Sequence, residues 1–505
     1  MKETALFIVC VMGCLSFASD QDIPKPNIII MMADDMGIGD TSAYQDWTGN
    51  DDAVQVYTPN MEKLAKSGIR FTDAHTGSSR CTASRYSLLT GRYSWRTRLK
   101  YSVLWGPHSM PLIEKDQPTL GTLLKSKDYR TGMTGKWHLG LQYQTKEGKP
   151  ALDWKTSDIR LPILDGPLNH GFDYFHGTSR SHPSSSPQGW IFQDKVVAAT
   201  GPQSVNKQTY KLEETGPTNY RMGKRFLTEH LNGDNREKPF FLYYACHSNH
   251  IKHTPSKSIE GVPVKGRSNL KTRRSDFIYE NDVALGLLMS FLEKTEDPRR
   301  PGGLLIENTL LVFTSDNGAE NKSKAATGPV RSNKGSAFEG GHRVPFVASW
   351  PLGGIPAGMV SRTPICLVDM FATISGILKT DIGDAAPDSY QLLDNLFGSA
   401  NNLRPHLIHH DHKEGGDGGA RHEGAAMLAI RLKDPVVGGK TYTGQWKLFV
   451  DNSLLMKGTG KPVMLFNLEE NLQEENDYIN DPAYKPLVDY LFAKVKIIHD
   501  SGISR

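Results

Sequence analysis

The chain has 505 residues, of which 38% are hydrophobic and 23% charged, and a formal net charge of +4. That length supports a large core and two packed domains, and so small a charge makes no case for nucleic-acid binding. No internal stretch approaches the ~20 apolar residues of a membrane span.

The N-terminus reads as an export signal: Lys2, an apolar run from Ala5 to Phe17, and Ser16-Phe17-Ala18 as a cleavage site, so residues 1–18 form a signal peptide. Val11-Met12-Gly13-Cys14 offers another reading, a lipid attached at Cys14. Either way the mature protein leaves the cytoplasm, to be periplasmic or secreted. It keeps Cys81, Cys246 and Cys366, too few for a disulfide framework. Cys246 and Cys366 could pair, but two buried thiols is the favoured expectation.

Asn27 to Met32 is a short continuous apolar run, the pattern of a strand buried on both faces. Thr58-Pro59 opens a helix, with threonine as N-cap and proline in the first turn, and Gly68 closes it. Tyr129 to Thr134, Phe240 to Tyr244, Leu310 to Phe313 and Val344 to Val347 read as further strands. Val283, Leu287, Leu288 and Phe291 share a helical face, as do Leu367, Met370, Phe371, Ile374 and Leu378. Strands alternating with helices predict an α/β domain over residues 24–385, a large and mostly parallel sheet flanked by helices. After about residue 385 the helical periodicity thins. Met427 to Arg431, Trp446 to Val450 and Val463 to Phe466 read as short strands, followed by a helix near Pro482 to His499. Residues 386–505 are therefore expected to form a smaller α+β domain with an antiparallel sheet.

In a parallel sheet the chemistry gathers where the strands end. Those ends are polar here: Asp34-Asp35, His247 to His250, and Asp316-Asn317. Each acidic pair alone reads equally well as a solvated turn. Together they supply three carboxylates and an amide oxygen, hard ligands suited to Ca²⁺ or Mg²⁺. His247, His250 and His253 recur at intervals of three; zinc is possible in principle, but no cysteine or other ligand pattern supports it.

Cys81-Thr-Ala-Ser-Arg85, running on to Leu89-Thr-Gly-Arg92, resembles the signature of the type I sulfatases of the alkaline-phosphatase superfamily. Ala83 stands where most members have proline. Gly135-Lys136-Trp137-His138-Leu139-Gly140 and Asn333-Lys334-Gly335, leading into Phe338 to Pro345, resemble further blocks of that family. The resemblance implies an alkaline-phosphatase-like core and conversion of Cys81 by a maturation enzyme to formylglycine, whose hydrate attacks sulfur. It implies that Asp34, Asp35, Asp316, Asn317 and residue 81 bind calcium, or magnesium in its place. Lys136 and Lys334 would hold sulfate oxygens, Arg85 the hydrate, and Asp316 would take a proton from the nucleophile. His138 would serve as base, and His250 as proton donor to the leaving alcohol. The spacing to Pro255 favours His250, while His253-Thr-Pro fits the commoner ending of the motif. Cys81 just before a helix starting at Ser84 would also place the anion at a helix N-terminus.

Thr178 to Trp190 falls where the family has a variable substrate loop. Its Arg180, His182, Pro183 and Trp190 could bind a sulfated, acidic sugar, or the segment could be a surface loop with no such contact. His409, His410 and His412 look like another metal cluster, but a domain-junction loop is the expectation. The expected activity is removal of sulfate from a carbohydrate, galactose- or N-acetylgalactosamine-containing. The rivals are a phosphomonoesterase or phosphodiesterase of the same superfamily and a glycan-binding relative without catalysis.

Overall fold

The computed structural model describes residues 24–48, 56–106, 109–181, 188–265, 272–321, 323–399, 404–411, 427–451 and 453–505. The expected signal segment, Cys14, His182 and His412 lie outside these residues.

A ten-stranded sheet forms the larger part. Its strands in chain order are β1 (Asn27–Ala33), β2 (Ile69–Phe71), β3 (Arg130–Lys136), β4 (Tyr174–Thr178), β5 (Ile191–Phe192), β6 (Lys195–Val196), β7 (Phe240–Ala245), β8 (Thr309–Ser315), β9 (Phe346–Ser349) and β10 (Met359–Ser361). The spatial order is β10-β2-β9-β8-β1-β7-β3-β4-β5-β6. From β8 through β1, β7 and β3 to β4 every pairing is parallel. β1 is the centre, with Ile28 level with Phe241 on one side and Leu310 on the other. Its side chains alternate between two cores. Ile28, Ile30 and Met32 enter one, and Ile29, Met31 and Ala33 enter the other. A strand buried on both faces has no polar side to show, hence the unbroken apolar run.

Helix α1 (Pro59–Ser67) starts at Pro59 and is followed by Gly68, as expected. Its cap is not the Thr58 hydroxyl, which instead bonds to Thr41. Asp282, on the helix Arg273–Lys294, accepts from the amides of Asn60 and Met61 and caps α1 from outside. Helix α2 (Cys81–Thr90) begins at Cys81, not Ser84, so residue 81 is itself the first helical residue.

The smaller sheet is antiparallel: β11 (Leu407–Asp411), β12 (Met427–Lys433), β13 (Gln445–Asp451) and β14 (Pro462–Asn467), in that order. Leu428, Ile430, Leu448 and Val450 pack against Leu487, Leu491 and Val495 of the helix Lys485–Ser501. On the opposite face Met427, Ala429 and Phe449 meet Ala337 and Phe338, just after Lys334. The sheet is thus covered on one side by its own helix and on the other by a segment leading from the polar strand ends. His409 and His410, expected in a loop, lie on the buried edge strand β11.

Candidate active site

The five parallel strands end along one edge, and the predicted polar residues converge there. Asp34 and Asp35 follow β1, Lys136 ends β3 with His138 two residues beyond, and Asp316 and Asn317 follow β8; none of these strand-end residues reaches bulk water appreciably. Two glycines allow this closeness. Gly135, at φ 92°, would place a Cβ 1.8 Å from the Ala245 carbonyl oxygen, and Gly318 one 1.9 Å from that of Gly340. The first lets β3 press against β7 just before Lys136; the second brings the Asn317 turn against the segment carrying Lys334.

Helix α2 supplies Cys81 and, one turn later, Arg85 on the same face. Arg85 is fully buried and donates from Nε and Nη2 to Oδ2 of Asp316, at 3.0 and 2.7 Å. It also donates to the Lys136 carbonyl at 3.2 Å and the Tyr243 hydroxyl at 3.4 Å. Lys136 Nζ donates to both oxygens of Asp34, at 2.9 and 2.7 Å. Lys334 Nζ lies 2.6 and 2.7 Å from the two oxygens of Asp35. Three buried carboxylates thus face three buried or nearly buried cations. Ligand atoms of Asp34, Cys81 and Asp316 all lie within 4.8 Å of one another.

The electrostatics follow from this crowding. Burial would push the Asp35 carboxyl up, but Lys334, then His250 and Lys136, hold it well below the usual range. Burial and the neighbouring Asp34 push Asp316 up to about 6. Burial also raises the Cys81 thiol. His138 is held well below its ordinary value by burial and by Lys136 and Arg85, so it is neutral at physiological pH. Its Nε2–H donates to the Leu104 carbonyl at 3.3 Å, while Nδ1 is buried without a partner. That bond fixes the proton on Nε2 and leaves Nδ1 as a free base.

The donor set fits a hard divalent cation. Asn317 donates through Nδ2 to Asp35 at 2.9 Å, while its buried Oδ1 has no hydrogen-bond partner. A buried carbonyl oxygen left unpaired beside carboxylates is the donor that Ca²⁺ or Mg²⁺ takes.

The three histidines after β7 have separate partners. His247 Nε2 bonds the Thr178 hydroxyl at 2.8 Å, and its ring meets Trp190 edge-on. His253 Nε2 pairs with Glu320 at 3.0 Å, beside Arg274. His250 Nε2 lies 4.0 Å from Asp35 Oδ2, and burial, against the pull of Asp35, brings it down to about 4. Of the three it is the one turned toward the carboxylate cluster, and the zinc arrangement does not form. Arg180, partly buried, donates to the Trp105 carbonyl. Trp190 is buried and packs against His176, Tyr210 and His247.

A second buried polar cluster escaped the sequence reading. His75 Nδ1 lies 2.9 Å from His342 Nδ1, and His342 stacks on His409 with centroids 3.7 Å apart and planes 6° from parallel. Parallel rings cannot aim their lone pairs at one ion, so these histidines make a poor zinc site. Around them Asp73, Glu339 and Glu474 are paired with Arg343, Arg431 and Lys447. This network ties the small sheet to the approach to α2. His409 Nδ1 bonds the Thr76 carbonyl at 3.1 Å and His410 Nδ1 that of Gly77 at 3.0 Å, while Arg80 pairs with Asp411 at 3.3 Å. Cys246 and Cys366 are separate buried thiols.

A sulfatase family model matches residues 26–380. The chain is 29% identical over 439 residues to an N-acetylgalactosamine-6-O-sulfatase of Bacteroides thetaiotaomicron, covering 77% of this chain and 80% of that one. It is 32% identical over 399 residues to arylsulfatase A of Bos taurus, covering 76% and 70%. A Bacteroides thetaiotaomicron structure from work on glycosaminoglycan metabolism superimposes with a TM-score of 0.72 at 25% identity, covering 95% of this chain and all of that one. With this fold, the strand-end site and a family match over most of its length, the chain belongs to the sulfatases and is a sulfuric ester hydrolase.

Proposed function

We propose that this enzyme removes sulfate from a sulfated carbohydrate, one containing galactose or N-acetylgalactosamine, using residue 81 as formylglycine. The observation that carries this is the convergence of Asp34, Asp35, Asp316, Arg85, Lys136 and Lys334 around Cys81. The names of the relatives support the sugar class.

Formylglycine, when hydrated, supplies an oxygen nucleophile with a second hydroxyl that allows sulfate to be released, and a bound Ca²⁺ or Mg²⁺ supplies charge that acidifies that nucleophile. The cation would be held by Asp34, Asp35, Asp316, Asn317 and residue 81. Lys136 and Lys334 bind the anionic sulfate oxygens and offset charge that grows on the leaving oxygen. Arg85 clamps Asp316 in place through two hydrogen bonds to one oxygen. Asp316, held by Arg85 with its ligand atom within 4.8 Å of that of residue 81, is placed to accept a proton from the attacking hydroxyl. His250 delivers a proton to the leaving alcohol oxygen, since the anionic ester beside it favours the imidazolium. His138 takes the proton of the second hydroxyl at its free Nδ1.

The protein is exported and meets a formylglycine-generating enzyme on the way. The test is to express it with such an enzyme and verify by peptide mass that residue 81 is an aldehyde. It is then assayed on sulfated oligosaccharides of defined sugar and sulfate position, on an aryl sulfate and on an aryl phosphate. Desulfation of a galacto-configured saccharide is expected. Hydrolysis of the phosphate alone would overturn the reading in favour of a phosphoesterase, and matured protein inert on all substrates would overturn catalysis.

A further inference from the structure

Trp105 is 65% exposed, while the other seven tryptophans are buried or half-buried. An indole left in water forgoes the burial that usually makes tryptophan worth having in a fold. A single exposed apolar residue needs no explanation by itself, but the backbone leading into this one is bonded to residues of the site. Its neighbour Leu104 donates its amide to Thr82 Oγ1 at 3.2 Å, next to Cys81, and accepts from His138 at 3.3 Å. The Trp105 carbonyl accepts from Arg180, and the indole N–H donates to Ser102 Oγ at 3.2 Å. With its N–H edge tied down, the ring is oriented before any ligand arrives, which lowers the ordering cost of binding.

We infer that Trp105 is the stacking wall for the sugar ring that carries the sulfate. A pyranose, galacto-configured above all, shows a patch of C–H bonds on one face. Those bonds complement the electron-rich face of an indole. Lys136 and Lys334 recognise the sulfate; Trp105 recognises the ring behind it, and Arg180 positions Trp105. This assignment rests on the sulfated-carbohydrate reading above.

The test uses the matured full-length enzyme and its Trp105→Ala and Trp105→Phe variants, on whichever sulfated saccharide of the panel the wild type cleaves best. Inorganic sulfate serves as a competitive inhibitor that reports on the anion pocket alone. Loss of the indole is expected to raise the saccharide KM by roughly tenfold. The inhibition constant of inorganic sulfate is expected to change less than about twofold, and phenylalanine to restore most of the saccharide affinity. Equal weakening of saccharide and sulfate would mean a merely structural role and overturn the inference. So would an unchanged saccharide KM in Trp105→Ala. If the wild type cleaves an aryl sulfate but no saccharide, the carbohydrate reading itself fails and takes this assignment with it.

Discussion

Lys447→Met tests whether the buried ion network holds the small sheet to the rest of the molecule. Lys447 is fully buried, and its Nζ donates to Glu339 and to Glu474, each at 2.9 Å. Methionine keeps the length of the side chain and removes the charge. Glu339 would retain Arg343, which donates to its other oxygen at 2.9 and 2.6 Å. Glu474 would retain the Glu339 backbone amide as its hydrogen bond, at 2.8 Å, and the more distant charge of Arg431. The loss therefore falls mainly on one buried carboxylate. Stranding one member of a buried pair costs about 3–5 kcal/mol, and both the surviving amide bond and a carboxyl that burial already raises to about 7, able to take up a proton once Lys447 is gone, argue for the lower end. About 3 kcal/mol is roughly two decades in the folded-to-unfolded ratio. Urea denaturation, with hydrogen exchange followed across β12 and β13, would measure it. Lys447→Met/Glu474→Gln should recover at least half of the loss, because a neutral amide needs no cation and can still accept from the Glu339 amide. A cost below about 1 kcal/mol for Lys447→Met, or a double variant no better than the single, would refute the reasoning.

Three further outcomes are expected. Calcium added to chelator-treated protein should raise its unfolding free energy by about 2.7 kcal/mol at a hundredfold excess over Kd; Asn317→Leu, which removes the unpaired buried oxygen, should weaken that response, as read by thermal denaturation across a calcium titration. Gly135→Ala should destabilise by more than about 2 kcal/mol and cut turnover, since its Cβ would collide with the Ala245 carbonyl at positive φ; a neutral denaturation midpoint would contradict the close approach of β3 and β7. His250→Gln should lower kcat/KM on an aryl sulfate by about 10²–10⁴-fold, whereas His253→Gln, which alters a partner of Glu320, should cost less than about tenfold; steady-state kinetics would expose a reversal.

How much was legible in the sequence depended on whether the signal was local. Asp34-Asp35 and Asp316-Asn317 stood out because an acidic pair directly follows a short buried strand, and strand ends collect on one edge of a parallel sheet. The Cys81 string, Lys136 and Lys334 were readable through a resemblance rather than through spacing. The helix start at Cys81 was placed three residues late because nothing in the composition of Arg80 marks a cap, and the cap side chain makes no capping bond. β11 was missed because its His409-His410-Asp411 reads as polar, yet each of these side chains finds a buried partner on the far side of the chain. The Asp73–Arg431 and Lys447–Glu339 pairings span 358 and 108 residues and leave no periodicity. Trp105 sits in a loop without pattern, and its exposure was invisible until the fold was in place.

The placement of β1 has a consequence for timing. Its two neighbours are residues 240–245 and 309–315, so the central strand of the sheet cannot be completed until well over half the chain has been made. Such long-range parallel pairing is slow to form. Until then the pocket around residue 81 does not exist, and that side chain stays open to another protein; afterwards it is 2% exposed. The order in which the strands join thus sets a window, closing as the sheet closes, in which any enzyme that is to oxidise Cys81 must act.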